Sequence, residues 1–229
     1  MKKYLKVFVF GIFAGLAIGL GSFVFTISKY FNDTYLNGSK IGLIIASALF
    51  SIGLILVCTL KLQLYTGKIG VVLDDKARIK ENAINLPIML IGNAVGAFLL
   101  GIICHLVYMN SDGVMKTIEA IAKGKINTSI AYVQGILCGG LVYIAVYFFK
   151  NLENYAMKII GIITAVTLFV YCGFQHCIAN MFYFGMAFKF DAESFRNILV
   201  IIIANSIGAF IIRFFVYFGE IIGKKKKAE

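Results

Sequence analysis

Charge punctuates this chain, and the uncharged stretches between charges dictate what it can fold into. They cover 7–28, 41–60, 82–111, 126–149 and 159–188, then 197–212 continuing past Arg213 to about 218. A helix of about 20 apolar residues crosses the ~30 Å hydrocarbon core of a bilayer. The pattern predicts six spans, with both termini on one side. A soluble domain is excluded, because only 14% of residues are charged, against about 25% in soluble proteins. The run 7–28 is longer than the apolar core of a signal peptide and predicts a retained first span. The net charge of +11 does not point to nucleic acid, because the cations flank the apolar runs. With cytoplasmic termini, the inner set is Lys2, Lys3, Lys6, Lys76, Arg78, Lys80, Lys150, Lys158, Arg213 and Lys224 to Lys227. It outnumbers the outer set of Lys29, Lys40, Lys116, Lys123, Lys125, Lys189 and Arg196. That bias predicts a multi-pass protein of the cell inner (plasma) membrane with both ends inside.

Two segments are too long. Residues 159–188 would reach ~45 Å as a straight helix, and 41–73 is comparable but carries Lys61 and Lys68. Each has a polar interruption, "KLQLYTGK" in the second span and "GFQHCIAN" in the fifth. Irregular backbone survives at membrane depth only where protein or a water-filled cavity satisfies it, so both spans are expected to break there. The halves also match in order. "GIFAG" at 11–15 pairs with "GILCG" at 135–139, and "GNAVGA" at 92–97 with "ANSIGA" at 204–209. Three spans per half is an odd number, which predicts an inverted repeat with its site where the broken helices meet. The expectation is an all-α membrane protein, a single transmembrane channel domain over 1–229. It has six transmembrane helices in two inverted three-helix repeats, at about 1–109 and 126–222, with spans 2 and 5 broken. Glycines four apart (Gly11, Gly15 and Gly135, Gly139) suit close helix packing. Pro87, the only proline, suits the first turn of span 3.

No acidic residue lies mid-span, so no carboxylate serves a proton relay or a cation. The five cysteines lie in apolar stretches without a CxxC, which argues against metal or disulfide roles. No nucleophile–base or nucleotide-binding motif occurs, so neither an enzyme nor a cofactor is expected. What remains at depth is His176 with Lys61, Gln63, Thr66, Gln175 and Asn180. Intramembrane polar residues mark substrate paths; His105, near the end of span 3, reads as interfacial. Cationic and neutral polar groups without carboxylates favour a small anion or weak acid. Competing classes are a proton-coupled weak-acid carrier, a neutral-solute pore and a structural membrane protein.

These residues resemble the formate/nitrite transporter family. The family's second-span signature, close to G-A-E-L-F-T-[GS], is matched by Lys61, Leu62, Gln63, Leu64, Tyr65, Thr66 and Gly67. The fifth-span signature, close to G-F-E-H-[SV]-[VI]-A-N-M, is matched by Gly173 to Met181. The resemblance implies a homopentamer of aquaporin-like six-helix protomers in the lipid bilayer, each with its own pore. His176 would face Thr66, and Phe50, Leu54, Leu64 and Phe169 would form apolar constrictions on either side. Lys158 would draw anions into a vestibule. Gln63 and Gln175 replace glutamates, and Gly139 replaces an asparagine. These departures look most like the family's hydrosulfide-channel branch, with hydrosulfide as cargo and formate or nitrite as alternatives.

Overall fold

A computed structural model describes residues 2–72, 79–126 and 129–225. The expected inner cations Lys76, Arg78, Lys226 and Lys227 lie outside the described residues. The described residues form helices and connecting turns only. In order these are α1 (Lys2–Tyr35), α2 (Lys40–Leu49), α3 (Ile52–Thr59), α4 (Tyr65–Lys68), α5 (Ile79–Tyr108), α6 (Asp112–Ile126), α7 (Ala131–Asn151), α8 (Tyr155–Tyr171), α9 (Cys177–Met186) and α10 (Ala192–Lys225). Among the described residues, five stretches are long and apolar enough to cross a membrane: α1, α2 with α3, α5, α7, and 192–219 of α10. The apolar run 159–188 is divided between α8 and α9, neither of which is that long.

α1 packs along α5, and α7 along α10, each pair through small residues. At Gly15 a Cβ would collide with the backbone carbonyl of Asn93, and at Gly139 with that of Asn205. Only glycine permits so close an approach. An asparagine at Gly139 would meet that same carbonyl. Pro87 sits inside α5 rather than in its first turn. The helix starts earlier, at Ile79, with Glu81 in its first turn paired to Lys3. His105 reaches across from α5, its Nδ1 donating to the Met186 carbonyl at the end of α9 (2.9 Å).

Both overlong segments are interrupted, by the same device. After α3, Lys61 adopts φ 54°, and after α8, Gly173 adopts φ 73°. The following N–H turns back onto the helix in each case, Leu62 to the Val57 carbonyl and Phe174 to the Phe169 carbonyl, both at 2.9 Å. The Lys61 and Gly173 N–H groups bond Cys58 and Val170. These are Schellman stops, one with the glycine the motif favours and one with a lysine. A few extended residues follow, and the chain restarts as α4 or α9. Every residue of α9 is buried, so the second restart lies in the middle of the molecule.

Candidate functional site

A buried asparagine braces each break. Asn93 Nδ2 donates to the carbonyls of Gly11 (2.9 Å) and Gln63 (2.8 Å), and its Oδ1 accepts from the Tyr65 N–H (2.9 Å). Asn205 Nδ2 donates to the carbonyls of Gly135 (2.8 Å) and Gln175 (2.9 Å), and its Oδ1 accepts from the Cys177 N–H (2.9 Å). Both amides are fully buried. Each satisfies the backbone that a helix break leaves bare, as an apolar environment demands.

The braced breaks bring His176 and Thr66 together. Nε2 of His176 lies 2.9 Å from Thr66 Oγ1, and both residues are buried. His176 is also the N-cap of α9, its Nδ1 accepting from the Ala179 N–H at 3.3 Å. A nitrogen that accepts carries no proton, so the hydrogen-bond partners assign the neutral ring with its proton on Nε2. His176 then donates to Thr66, and the Thr66 hydroxyl keeps its own proton to give elsewhere. Charging the imidazole would set an Nδ1–H against the Ala179 N–H and break the cap.

Two cavities, each of about 360 Å³, lie on either side of this pair. The α6-side cavity is lined by Lys29, Lys125, Phe50, Phe169, His176 and Asn180 among others. The α4-side cavity is lined by Lys61, Lys68, Lys150, Val57, Gln63 and Leu64 among others. Between them lies an apolar plug. Phe50, Leu54, Leu64 and Phe169 are all buried. The Phe50 and Phe169 rings meet edge to face at 5.8 Å, and Phe169 stacks on the His176 ring at 6.2 Å. From Phe50 in one cavity wall, the chain passes Leu54 to Val57 in the other, so the plug is about two helical turns thick.

Gln175 does not face a cavity. It is fully buried, with Nε2 donating to the Lys125 carbonyl and to Gln134 Oε1, both at 3.1 Å. Its Oε1 accepts from Asn180 (2.8 Å) and Asn197 (3.1 Å). A glutamate here would set a carboxylate oxygen against the Lys125 carbonyl, so an amide is what this network requires. Lys158 lines neither cavity. Its ammonium lies over the Phe149 ring (5.5 Å), and Phe149 lines the α4-side cavity. Lys68, Lys150 and Lys125 take the wall positions instead. Lys125, in α6, keeps part of its surface open to the cavity, yet the surrounding protein pushes its pKa down to about 8 by disfavouring the ammonium. The sequence reading singled out neither these three lysines as cavity walls nor the bracing roles of Asn93 and Asn205. The signal for the asparagines was present, since both fall in the matched "GNAVGA" and "ANSIGA" stretches.

Broken apolar helices, a polar pair between two lysine-lined cavities and an apolar plug define a helical membrane protein of the transporter and channel class. The chain belongs to the formate/nitrite transporter family, whose sequence profile matches residues 1–219. It is 35% identical over 225 residues to the uncharacterized transporter YrhG of Bacillus subtilis, covering 92% of this chain and 83% of that one. It is 31% identical over 195 residues to the formate channel FocA of Haemophilus influenzae, covering 81% and 67% respectively. The fold matches a pentameric formate channel with formate bound (TM-score 0.72, 25% identity, 99% of this chain and 97% of that one). It also matches a second ion channel of the family (TM-score 0.74, 22% identity, 95% and 89%).

Proposed function

We propose that this chain forms a passage for small monovalent anions and their weak acids, with formate the leading cargo and hydrosulfide the second. One observation carries the reading: the His176–Thr66 pair, hydrogen-bonded and buried between two lysine-lined cavities. In this reading the lysines concentrate anions at both mouths. The plug of Phe50, Leu54, Leu64 and Phe169 strips water from the cargo. His176 and Thr66 then supply hydrogen bonds where water has been lost. Because the ring nitrogens favour the neutral tautomer, His176 acts as a hydrogen-bond donor.

Formate is supported by relatives named as formate channels. It is also supported by the positions of Gln175 and Gly139, which depart from the family signature in a buried network and at a helix crossing rather than in the passage. Hydrosulfide is supported by the apolar wall, which suits a weakly hydrated cargo. We further propose a homopentamer, by likeness to the pentameric neighbour. Two inverted halves, about 1–109 and 126–222, would make up one domain over 1–229. Both termini would face the cytoplasm, as the cation bias supports.

The test is flux into proteoliposomes for formate, hydrosulfide, nitrite, acetate and chloride. Formate or hydrosulfide flux that exceeds chloride flux is the expected result. Passage of none of the five would refute the reading. Strict proton stoichiometry would replace the channel with a coupled carrier.

A further inference from the structure

The cations of the two cavities are engaged differently. At the α6-side mouth, Lys29 is paired with Asp33 (2.7 Å). Lys125 donates to the Gly173 carbonyl (3.5 Å), with its ammonium over the Tyr183 ring. At the α4-side mouth, Lys61, Lys68 and Lys150 line one cavity of about 360 Å³. Among the described residues, none of these three ammonium groups has an ion-pair or ring partner, and no Asp or Glu lines the cavity. Lys61 and Lys150 are exposed and Lys68 is half-buried, so the charges are open to water. Lys68 and Lys150 also line a neighbouring cavity of about 380 Å³ with Asn82 and Leu86. They therefore stand on a wall common to both.

Three like charges around one chamber repel one another, and an anion among them relieves that repulsion. A monovalent cargo balances only one of the three. A phosphate group carries close to two charges near neutral pH and three strong acceptor oxygens, and lysine holds it as a point charge. The chamber floor sets the consequence. Leu64 belongs both to the cavity wall and to the apolar plug. A dianion pays a desolvation cost at the plug that no group there offsets, so it enters the chamber and goes no further. We infer that the α4-side cavity is a binding site for a multivalent anion of the phosphate class, held by Lys61, Lys68 and Lys150, and that its occupant excludes cargo from that mouth. The effect on flux rests on the passage proposed above, whereas the binding does not. The Lys3–Glu81 pair joins the start of α1 to the start of α5, where Asn82 and Leu86 lie. This mouth is therefore at the end of the molecule that carries the N-terminus. With cytoplasmic termini, the occupant would come from the cell interior, where phosphate and its esters would act as blockers of the passage.

The first test is equilibrium dialysis of the purified protein in neutral detergent against labelled inorganic phosphate. At about pH 8 the phosphate is a dianion and the lysines are charged. Saturable binding is expected, displaced by pyrophosphate and barely by chloride at the same ionic strength. Lys68→Gln with Lys150→Gln should weaken it by about tenfold or more, the loss of charge-assisted hydrogen bonds. Lys29→Gln, at the other mouth, should leave it within about twofold of wild type. Oligomer size by gel filtration screens each variant for folding. The second test is formate flux in proteoliposomes with and without phosphate at fixed ionic strength. Phosphate should lower wild-type flux several-fold and should lower flux through the double variant by less than twofold, each measured against the same protein without phosphate. Phosphate binding that chloride displaces equally well, or that survives in the double variant, overturns the site and leaves the channel standing. Binding without any effect on formate flux overturns the blocking role. Wild-type protein that passes no formate but binds phosphate through these lysines refutes the passage and upholds the site.

Discussion

The two breaks differ less in how they are built than in what they carry. Each ends a helix with a left-handed residue, runs on extended, and is tied to a buried asparagine by the same three bonds. Beyond that point they diverge. The first restarts as a four-residue helix with Thr66 inside it, the second as a ten-residue helix capped by His176. The scaffold is therefore repeated while the chemistry is single. One residue from each break makes the polar pair, and neither half contains both.

The largest expected effects break the shared part. Asn93→Leu or Asn205→Leu strands two carbonyls and one N–H in the interior. Each should cost about 3–5 kcal/mol, read as a collapse of thermal stability in detergent. Equal losses would confirm that the braces are equivalent. Next come Gly15→Ala and Gly139→Ala, which press a methyl group into a neighbouring backbone carbonyl. Each should destabilise by about 2–3 kcal/mol, measured in the same melt. A smaller effect should have the opposite sign. Lys61 holds φ 54° where Gly173 stands in the other break, so Lys61→Gly should stabilise by about 1 kcal/mol while removing a cation from the α4-side cavity.

The weakest expected effect sharpens the difference between the cavities. With the Lys125 pKa held near 8 by its surroundings, its charge is present below that pH and fades above it. Anion uptake should therefore fall by a few-fold as pH rises through about 8. Lys125→Met should flatten that step. In stability the sign is reversed: the folded chain disfavours the ammonium, so the Lys125 contribution improves as pH rises from about 8 toward the ordinary lysine value.

The outline of this molecule could be read from its sequence because hydropathy reports depth. Charge spacing located the apolar segments, and an excess of length over bilayer thickness located both interruptions. The shared signature residues pointed to His176 and Thr66, which meet across 110 residues of chain. What stayed hidden was azimuth, the direction in which a side chain points at a given depth. Gln175, beside His176 in sequence, turns into a network closed by Lys125, Gln134 and Asn197. Lys150 reaches a cavity wall while Lys158 lies over Phe149. The second role of His176, capping α9, depends on where the helix restarts, which periodicity does not mark to the residue. Asn93 and Asn205 sat in quoted repeats, but their bonds join residues far apart in the chain.

The central claim is that His176 and Thr66 act on the cargo as one unit. Formate flux through proteoliposomes should be compared for wild type, His176→Leu, Thr66→Val and the double variant. Each single change should lower flux by about tenfold or more, and the double should be little worse than the poorer single, as for two partners in one interaction. Flux at the wild-type level in both single variants would contradict the account.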